Sequence, residues 1–579
     1  MKKFLPLLFV FILSNVLYAQ QISFEKDNNT TATYEETIQF YQQLDKKYAQ
    51  AKLLTYGPSD FGKPIHLLVL SKDKQFNPEN IRRQNKRILL INNGIHPGEP
   101  EGIDASMMLA RNLLERKSLP SNVVIIIIPV YNIGGMHNRG VSRANQAGPE
   151  AYGFRGNARN YDLNRDFLKT DTENSKTFQT IFNQWKPDIF MDTHTSNGAD
   201  YQYIMTLIDS QKDKLYPAIG ELSELITGGL YERMEKSGYG MVPYVSFRGR
   251  TPESGIVSFM EGPRYSTGYA ALHHTLGYMP ETHMWKPYHQ RVASTYELLN
   301  HLIDMTNEFH EEIAEARKKA KQDMISRKEF VLSWKLDTTR YEEIEFKGYE
   351  SGQKPSEVSG LSRLYYDRNQ PFTKKVRYYN RYQPDLTVQK PEAYFIPKAW
   401  AKAIELLRLN GVELKAIQKD TLLTLDMYYI ESYQAARSPY EGHYPLSQVK
   451  VRTETQQIHA YAGDYMAYTN QEANRYLIET LEPQGPDSYF YWNFFDAVLN
   501  QKEYFSGYIF EDEAAELLKN NPTLRAQLEE EKKNNESLRQ SAQAQLSWVH
   551  ARTPYFERTA SRYPIGRYMG QPLQHKKSN

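Results

Sequence analysis

The run NVVIIIIPVYN, residues 122–132, constrains the fold of this chain more than any other stretch. It is continuously apolar and β-branched, with none of the alternation that marks a strand with one wet face. Such a strand must be covered on both faces, as the strands of parallel sheets are. The segments PIHLLVL (64–70), RILLIN (87–92) and DIFMDTH (188–194) read as further buried strands. Helical segments fall between and after them, over 35–49, 102–116, 173–184, 216–238 and 287–307. Strands alternating with helices predict an α/β domain, with a mixed, largely parallel sheet and helices on both faces.

Length requires more than this. A chain of 579 residues is too long for one ordinary domain. Residues 308–329 form a charged stretch with Glu-to-Lys spacings, suited to a solvated helix leading into a linker. Beyond 330 come aromatic strands and a helix over 398–409 closed by Asn410-Gly411. Tyr- and Gln-rich segments and charged helices follow. The expected division is a leader over 1–19, a catalytic domain over 20–330, and a mixed α+β accessory region over 331–579 with room for two subdomains. No internal repeat of fixed period is present, and the tail QHKKSN is expected to fray.

Composition removes several function classes. Lys+Arg 71 against Asp+Glu 69 leaves no basic excess for a nucleic-acid partner. Cysteine is absent, which rules out a cysteine-linked lipid anchor, disulfides, thiol nucleophiles and Cys-ligated metals together. The first residues, MKKFLPLLFVFILSNVLYAQQ, place two lysines before an apolar run from Phe4 to Leu13 and a small residue at Ala19. That is the pattern of a secretory signal. The run is short for a membrane span, and no later segment approaches about 18 uncharged apolar residues. The expectation is a bacterial protein, secreted or periplasmic, with no membrane span in its mature chain.

His96 and Glu99 in INNGIHPGEPEG sit just past the strand at 87–92 and before a helix. That is the carboxyl end of a strand, where open α/β sheets bind ligands. Pro97 and Gly98 make a tight turn able to aim both side chains at one point. Alone, an H-x-x-E pair says little. His194 ends a second apolar strand, and Asp192 before it is read either as orienting a ligand from behind or as packing. If the two strands are neighbours, two imidazoles and one carboxylate meet, the ligand set of a catalytic zinc with an open fourth position. Hydrolysis also needs a general base, for which Glu261 in GIVSFMEGPRY and Glu281 in LGYMPETHMWKPY are candidates. It needs a positive group for the oxyanion, and FRGNARNYDLNRDF offers Arg155, Arg159 and Arg165. An arginine fork also suits a peptide's terminal carboxylate.

In this order, HPGE, RGNARNYDLNRDF, DTHTSNG and ETHMWKPYHQRV resemble the zinc carboxypeptidases of the carboxypeptidase A type, and YGPSDFGKPIHLLVLS resembles that family's first strand region. The resemblance spans residues 34–305, close to half the chain. It implies a carboxypeptidase-like fold and one Zn2+ per chain held by His96, Glu99 and His194. Arg155 matches the arginine that polarises the scissile carbonyl. Asn164 and Arg165 match the pair that grips the substrate's terminal carboxylate, and Glu281 matches the general base, with Glu261 in reserve. The implied activity is hydrolysis of C-terminal peptide bonds in a peptide or protein with a free carboxylate. The family's substrate-covering tyrosine has two imperfect counterparts, Tyr265 and Tyr269. His283 is expected to be structural rather than a fourth ligand, and His273-His274 to lie on a helix or turn without metal.

Two other functions fit the same residues. A zinc amidohydrolase or deacylase, acting on acyl-amino acids or cell-wall peptides, keeps the ligand set and Arg165. A non-catalytic peptide-binding protein keeps only the pocket, and the full set of ligands, base and arginines speaks against it. There is no G-x-S-x-G elbow and no Walker loop, and HEEIAE at 310 lacks the second histidine of a zincin helix.

Overall fold

The computed structural model describes residues 22–570. The leader expected over 1–19 and the tail QHKKSN lie outside the described residues. The first half carries β1 (Ala51–Pro58), β2 (Pro64–Leu70), β3 (Arg87–Asn92), β4 (Val123–Ile128), β5 (Ile189–Asp192), β6 (His194–Ser196), β7 (Met205–Asp209), β8 (Met241–Pro243), β9 (Ile256–Val257) and β10 (Leu276–His283). All but β9 join one sheet, in the order β1-β2-β4-β3-β5-β10-β7-β8 with β6 paired to β10. The central strands β4, β3, β5 and β10 are mutually parallel. Antiparallel pairings flank them, at β1/β2, β2/β4 and β10/β7. The sheet is mixed with a parallel centre.

Every residue of β3, β4 and β5 is buried, so the isoleucine run does find cover on both faces. Each Ile or Leu removed from water there stabilises the fold by about 1.5–3 kcal/mol. Helices Glu101–Glu115 and Tyr288–Glu308 pack on each other, Glu173–Trp185 packs on β1, and Ser266–Leu272 packs on β5 and β10.

Two strands are shorter than the sequence predicts. β4 stops at Ile128, because Pro129 has no N–H to give a ladder. Asn132 instead caps the helix Ile133–His137, its side chain accepting from Gly135 N. The stretch 188–194 breaks at Thr193, whose hydroxyl donates to Asn93 Oδ1 at 3.0 Å. Past the break β6 resumes beside β10 alone.

In the second half β11 (Glu329–Leu336) pairs with β14 (Tyr382–Gln389). Between them β12 (Glu342–Pro355) and β13 (Ser362–Tyr379) form a long hairpin. The hairpin is tied to the first half, with Tyr378 of β13 in register with Ile256 of β9. Gln202 Nε2 donates to the carbonyls of Gly348 (2.8 Å) and Phe372 (2.9 Å), and Arg368 pairs with Asp200 at 2.6 Å. A six-stranded sheet follows from β15 (Ala393–Ile396), β16 (Lys415–Ala416), β17 (Thr421–Ala435), β18 (Leu446–Ala460), β19 (Tyr465–Tyr468) and β20 (Arg562–Tyr568), in the order β16-β19-β15-β20-β17-β18. The helix expected over 398–409 runs Ala401–Leu409. Helices between Gly507 and His550 bury a small cluster around Phe510, Leu528 and Val549. One apolar core nonetheless runs through both halves, from Ile126 to Phe490 and Ile565. No helix among the described residues is long and apolar enough to cross a membrane.

Candidate functional site

The parallel centre of the sheet brings the site together. β3 and β5 are neighbours with Asn92 opposite Asp192, so the loops leaving their carboxyl ends start side by side. The turn after β3 is tight, with Glu99 N donating to His96 O at 2.8 Å. β6 lies parallel to β10 with His194 in register with Glu281, which adds a third segment. His96, Glu99 and His194 each present a ligand atom, all within 4.8 Å of one another. None of the three is more than 4% exposed.

Carboxylates behind the rings fix their orientation. His96 Nε2 lies 2.8 Å from Asp162 Oδ1, and His194 Nε2 lies 2.9 Å from Asp192 Oδ2. Both Nδ1 atoms then face Glu99 Oε2, at 3.3 Å and 3.1 Å. Two carboxylate-held imidazoles converging on a third carboxylate are the donor chemistry of a zinc site with its supporting partners. Burial alone would raise the Glu99 carboxyl, but His96 and Arg143 outweigh it and hold Glu99 well below the usual carboxylate range. Burial alone would likewise lower His194, and the Asp192 carboxylate overrides it, holding the imidazole well above its usual value. The residues present fit a divalent cation.

The cluster opens onto a cavity of about 500 Å³, and Glu281 lies on its wall. Burial pushes the Glu281 carboxyl up to about 8, His194 pulls it down, and Glu99 adds to the push. A cation held by the cluster would strengthen the downward pull. On another wall, Arg155 Nε donates to Asp162 Oδ2 at 2.9 Å, and its Nη1 lies 3.5 Å from Glu99 Oε1. That guanidinium is held beside the cluster. Asn164 Oδ1 accepts from Ser266 N at 3.0 Å, which leaves the amide NH2 as the free donor on the cavity wall. Arg165 donates from Nη1 to the Asn164 carbonyl at 2.8 Å and lies 4.5 Å over the Tyr265 ring. Arg155, Asn164, Arg165, the Glu281 carboxylate and the cluster His96, Glu99 and His194 thus line one cavity. Such a cavity can hold an anionic end of a substrate while a water is deprotonated.

Most of the expected residues meet here, and some do not. Tyr265 lines the cavity. Tyr269 does not, and the expectation that it contacts substrate is corrected. Its helix, Ser266–Leu272, is buried along its whole length. Its hydroxyl donates to Asn410 Oδ1 at 2.6 Å, and its ring meets Phe182 edge-on at 5.1 Å. The reserve base Glu261 is also displaced: it is 2% exposed, paired with Lys214, and absent from the cavity wall. Arg159 points elsewhere, to Asp60 at 3.5 Å. His283 is structural as expected, with Nε2 2.9 Å from the Ala199 carbonyl and Nδ1 accepting from Trp285 N. His273 closes the helix Ser266–Leu272 beside Tyr269, in no metal cluster among the described residues.

Sequence reasoning missed three residues. Asp162 holds His96, Arg155 and, through its Oδ1, the Asn164 N–H at 2.9 Å. Its signal was available, since an aspartate before L-N-R is placed to cap the short 3-10 helix Leu163–Arg165. Arg143 donates to Glu99 Oε1 at 2.7 Å, and Tyr244 lines the cavity. Neither sits in a motif.

Residues 37–232 match the model of the zinc carboxypeptidase family. The Carboxypeptidase 2 of Trichophyton tonsurans is 23% identical over 493 residues, covering 80% of this chain and 84% of that protein. The Carboxypeptidase 2 of Trichophyton rubrum is 23% identical over 500 residues, with coverage of 80% and 84%. Among solved structures, a metallo-carboxypeptidase from Burkholderia cenocepacia aligns with a TM-score of 0.37 at 15% identity, over 48% of this chain and 70% of that one.

Proposed function

With residues 37–232 forming a zinc carboxypeptidase domain, we propose that His96, Glu99 and His194 hold its zinc and that the adjoining cavity removes C-terminal residues from peptides. The chain is a zinc metallocarboxypeptidase, a hydrolase of peptide bonds. One arrangement carries the assignment of roles: the triad, Glu281 and the Asn164–Arg165 pair line a single cavity.

A peptide's terminal carboxylate docks between the Arg165 guanidinium and the Asn164 amide, a fork-to-carboxylate contact. Docking fixes the last peptide bond against Glu281 and Arg155, which turns an encounter into an oriented attack. When bound, zinc supplies a Lewis acid for the carbonyl oxygen and lowers the pKa of water. Glu281 takes the proton of the attacking water as the new C–O bond forms. It then returns that proton to the leaving nitrogen as the C–N bond breaks. Arg155 offers its N–H groups to the oxygen that gains charge. Tyr265 shelters the substrate end of Arg165.

The test is a mixed peptide library incubated with and without chelator, with products read by mass. Single C-terminal residues should be lost, and chelation should stop the loss. Cleavage of N-acyl amino acids with peptides untouched would move the assignment to a deacylase, and internal cuts would overturn it. We also propose that the leader over 1–19 directs export and that the chain divides into a catalytic unit over 20–330 and an accessory region over 331–579. A mature N-terminus at Gln20 in the exported protein is the expected result.

A further inference from the structure

We propose that the turn Tyr440–His443, carried by the C-terminal region, positions the anion-gripping wall of the site, Tyr440 by setting Arg165 and Glu441 by setting Asp162. The proposal rests on the reading of Arg165 as the residue that binds the substrate's terminal carboxylate.

The turn closes the loop between β17 and β18. Tyr440 N donates to His443 O at 2.8 Å, and His443 N donates back to Tyr440 O at 3.1 Å. Its backbone is forced. Glu441 has a φ of 49° and Gly442 a φ of 79°. A Cβ on Gly442 would lie 2.6 Å from the Tyr161 hydroxyl, so only glycine lets the turn come this close to the first half. A non-glycine residue at positive φ is disfavoured and persists only where its surroundings hold it.

Here the surroundings are the site itself. The Tyr440 hydroxyl accepts from Arg165 Nε at 3.0 Å. Glu441 Oε2 accepts from the backbone N–H of Asp162 at 2.9 Å. His443 Nε2 lies 2.6 Å from Asp171 Oδ2, and Asp171 also pairs with Lys169 and Lys402. The turn has a firm backing of its own. The Tyr440 ring stacks on Trp492, with centroids 6.1 Å apart and planes 17° apart. Arg264 lies over both rings and is fixed by Asp487 at 2.7 Å.

The effect on Arg165 is specific. Its Nε is held by Tyr440, its Nη1 by the Asn164 carbonyl, and one face by Tyr265. The guanidinium is thereby kept in one orientation while it lines the cavity. Neither Tyr440 nor Glu441 is on the cavity wall, so both act from behind as positioning residues.

Tyr440→Phe removes the hydroxyl and keeps the ring stack. In the full-length zinc enzyme, KM for peptides with a free C-terminal carboxylate should rise roughly tenfold, the scale of one hydrogen bond to a charged group. The kcat should change less than twofold, and zinc content and Tm should not change. A cycle with Arg165→Gln separates the causes. If Tyr440 works through Arg165, Tyr440→Phe raises KM no further in the Arg165→Gln background. An unchanged KM in Tyr440→Phe alone overturns the proposal, and so does an equal rise in both backgrounds. If Arg165→Gln itself leaves KM unchanged, the carboxylate reading fails and takes the proposal with it. Glu441→Ala frees the Asp162 amide and should weaken zinc retention several-fold against a competing chelator, whereas full retention overturns the Glu441 half.

Discussion

The metal half and the anion half of this cavity are built in opposite ways. The metal half is made by the sheet. The proposed ligands leave strands whose registers, β3 on β5 and β6 on β10, set where they emerge, and burial keeps them there. The anion half is made by loop. Arg155, Asn164 and Arg165 follow one another with only a three-residue 3-10 helix among them, and the side chains of Arg155 and Arg165 are 43% and 21% exposed. Asn164 is buried and accepts from Ser266 N, while the two part-exposed arginines are held by hydrogen bonds to Asp162 and Tyr440. The lesson is that strand register places one half and carboxylates only orient its rings, while in the other half single polar contacts hold the arginines in place.

The largest effect expected from breaking this contrast is on the chemical step. Glu281→Gln should lower kcat by roughly 10²–10⁴-fold with zinc still bound, measured by steady-state kinetics beside metal analysis. Surviving activity would remove the base from the sheet-built half. Next is the support behind the ligands. Asp192→Asn should weaken zinc affinity about 10–100-fold with little change in KM, read by chelator competition. Asp162→Asn should do the same and raise KM as well, because Asp162 also anchors Arg155. If the two variants prove indistinguishable, the halves are not separately built.

A smaller effect concerns pH and the helix behind the metal half. Burial raises the Asp104 carboxyl to about 6, although Tyr288 OH donates to it at 2.5 Å. Its folded-state pKa exceeds the unfolded value, so the protonated form is the one folding favours. That contribution is complete below pH 4 and is lost as pH rises through 6, by about 1–3 kcal/mol. Denaturant titrations from pH 4 to 7 should show the fall, and Asp104→Asn should flatten it; an unaltered slope would assign the pH dependence elsewhere. The smallest effect is Tyr269→Phe. Losing its hydrogen bond to Asn410 should cost about 1 kcal/mol of stability and leave KM and kcat unchanged. A raised KM would return Tyr269 to the substrate side.

The same contrast explains what the sequence disclosed. A continuous apolar run has few structural solutions, so the parallel centre was legible from pattern, while the cluster His96, Glu99 and His194 at its edge was expected from the resemblance to the zinc carboxypeptidases. Glu281 was expected through the resemblance carried by its neighbours in the motif that ends β10, and it lies on the cavity wall. The loop wall was only half legible. Arg155, Asn164 and Arg165 are named by their motif, but nothing near them in sequence announces Arg143 or Tyr440. Tyr269 was misread because a Tyr in a G-Y-A-A-L stretch looks the same whether it faces core or cavity. The difference is set by Asn410 and Phe182, which no local pattern specifies.

The span between Arg165 and Tyr440 also orders events in time. The two residues are 275 positions apart. At about 5–20 residues per second of synthesis, Tyr440 follows Arg165 by roughly 15–55 s. The three proposed metal ligands precede residue 200, so they are made long before the wall around Arg165 has its brace. The first half of the chain thus carries the proposed ligands but not the residue that holds Arg165 Nε. The carboxylate wall is therefore finished only once the C-terminal region reaches it, with Tyr440 set against Arg165.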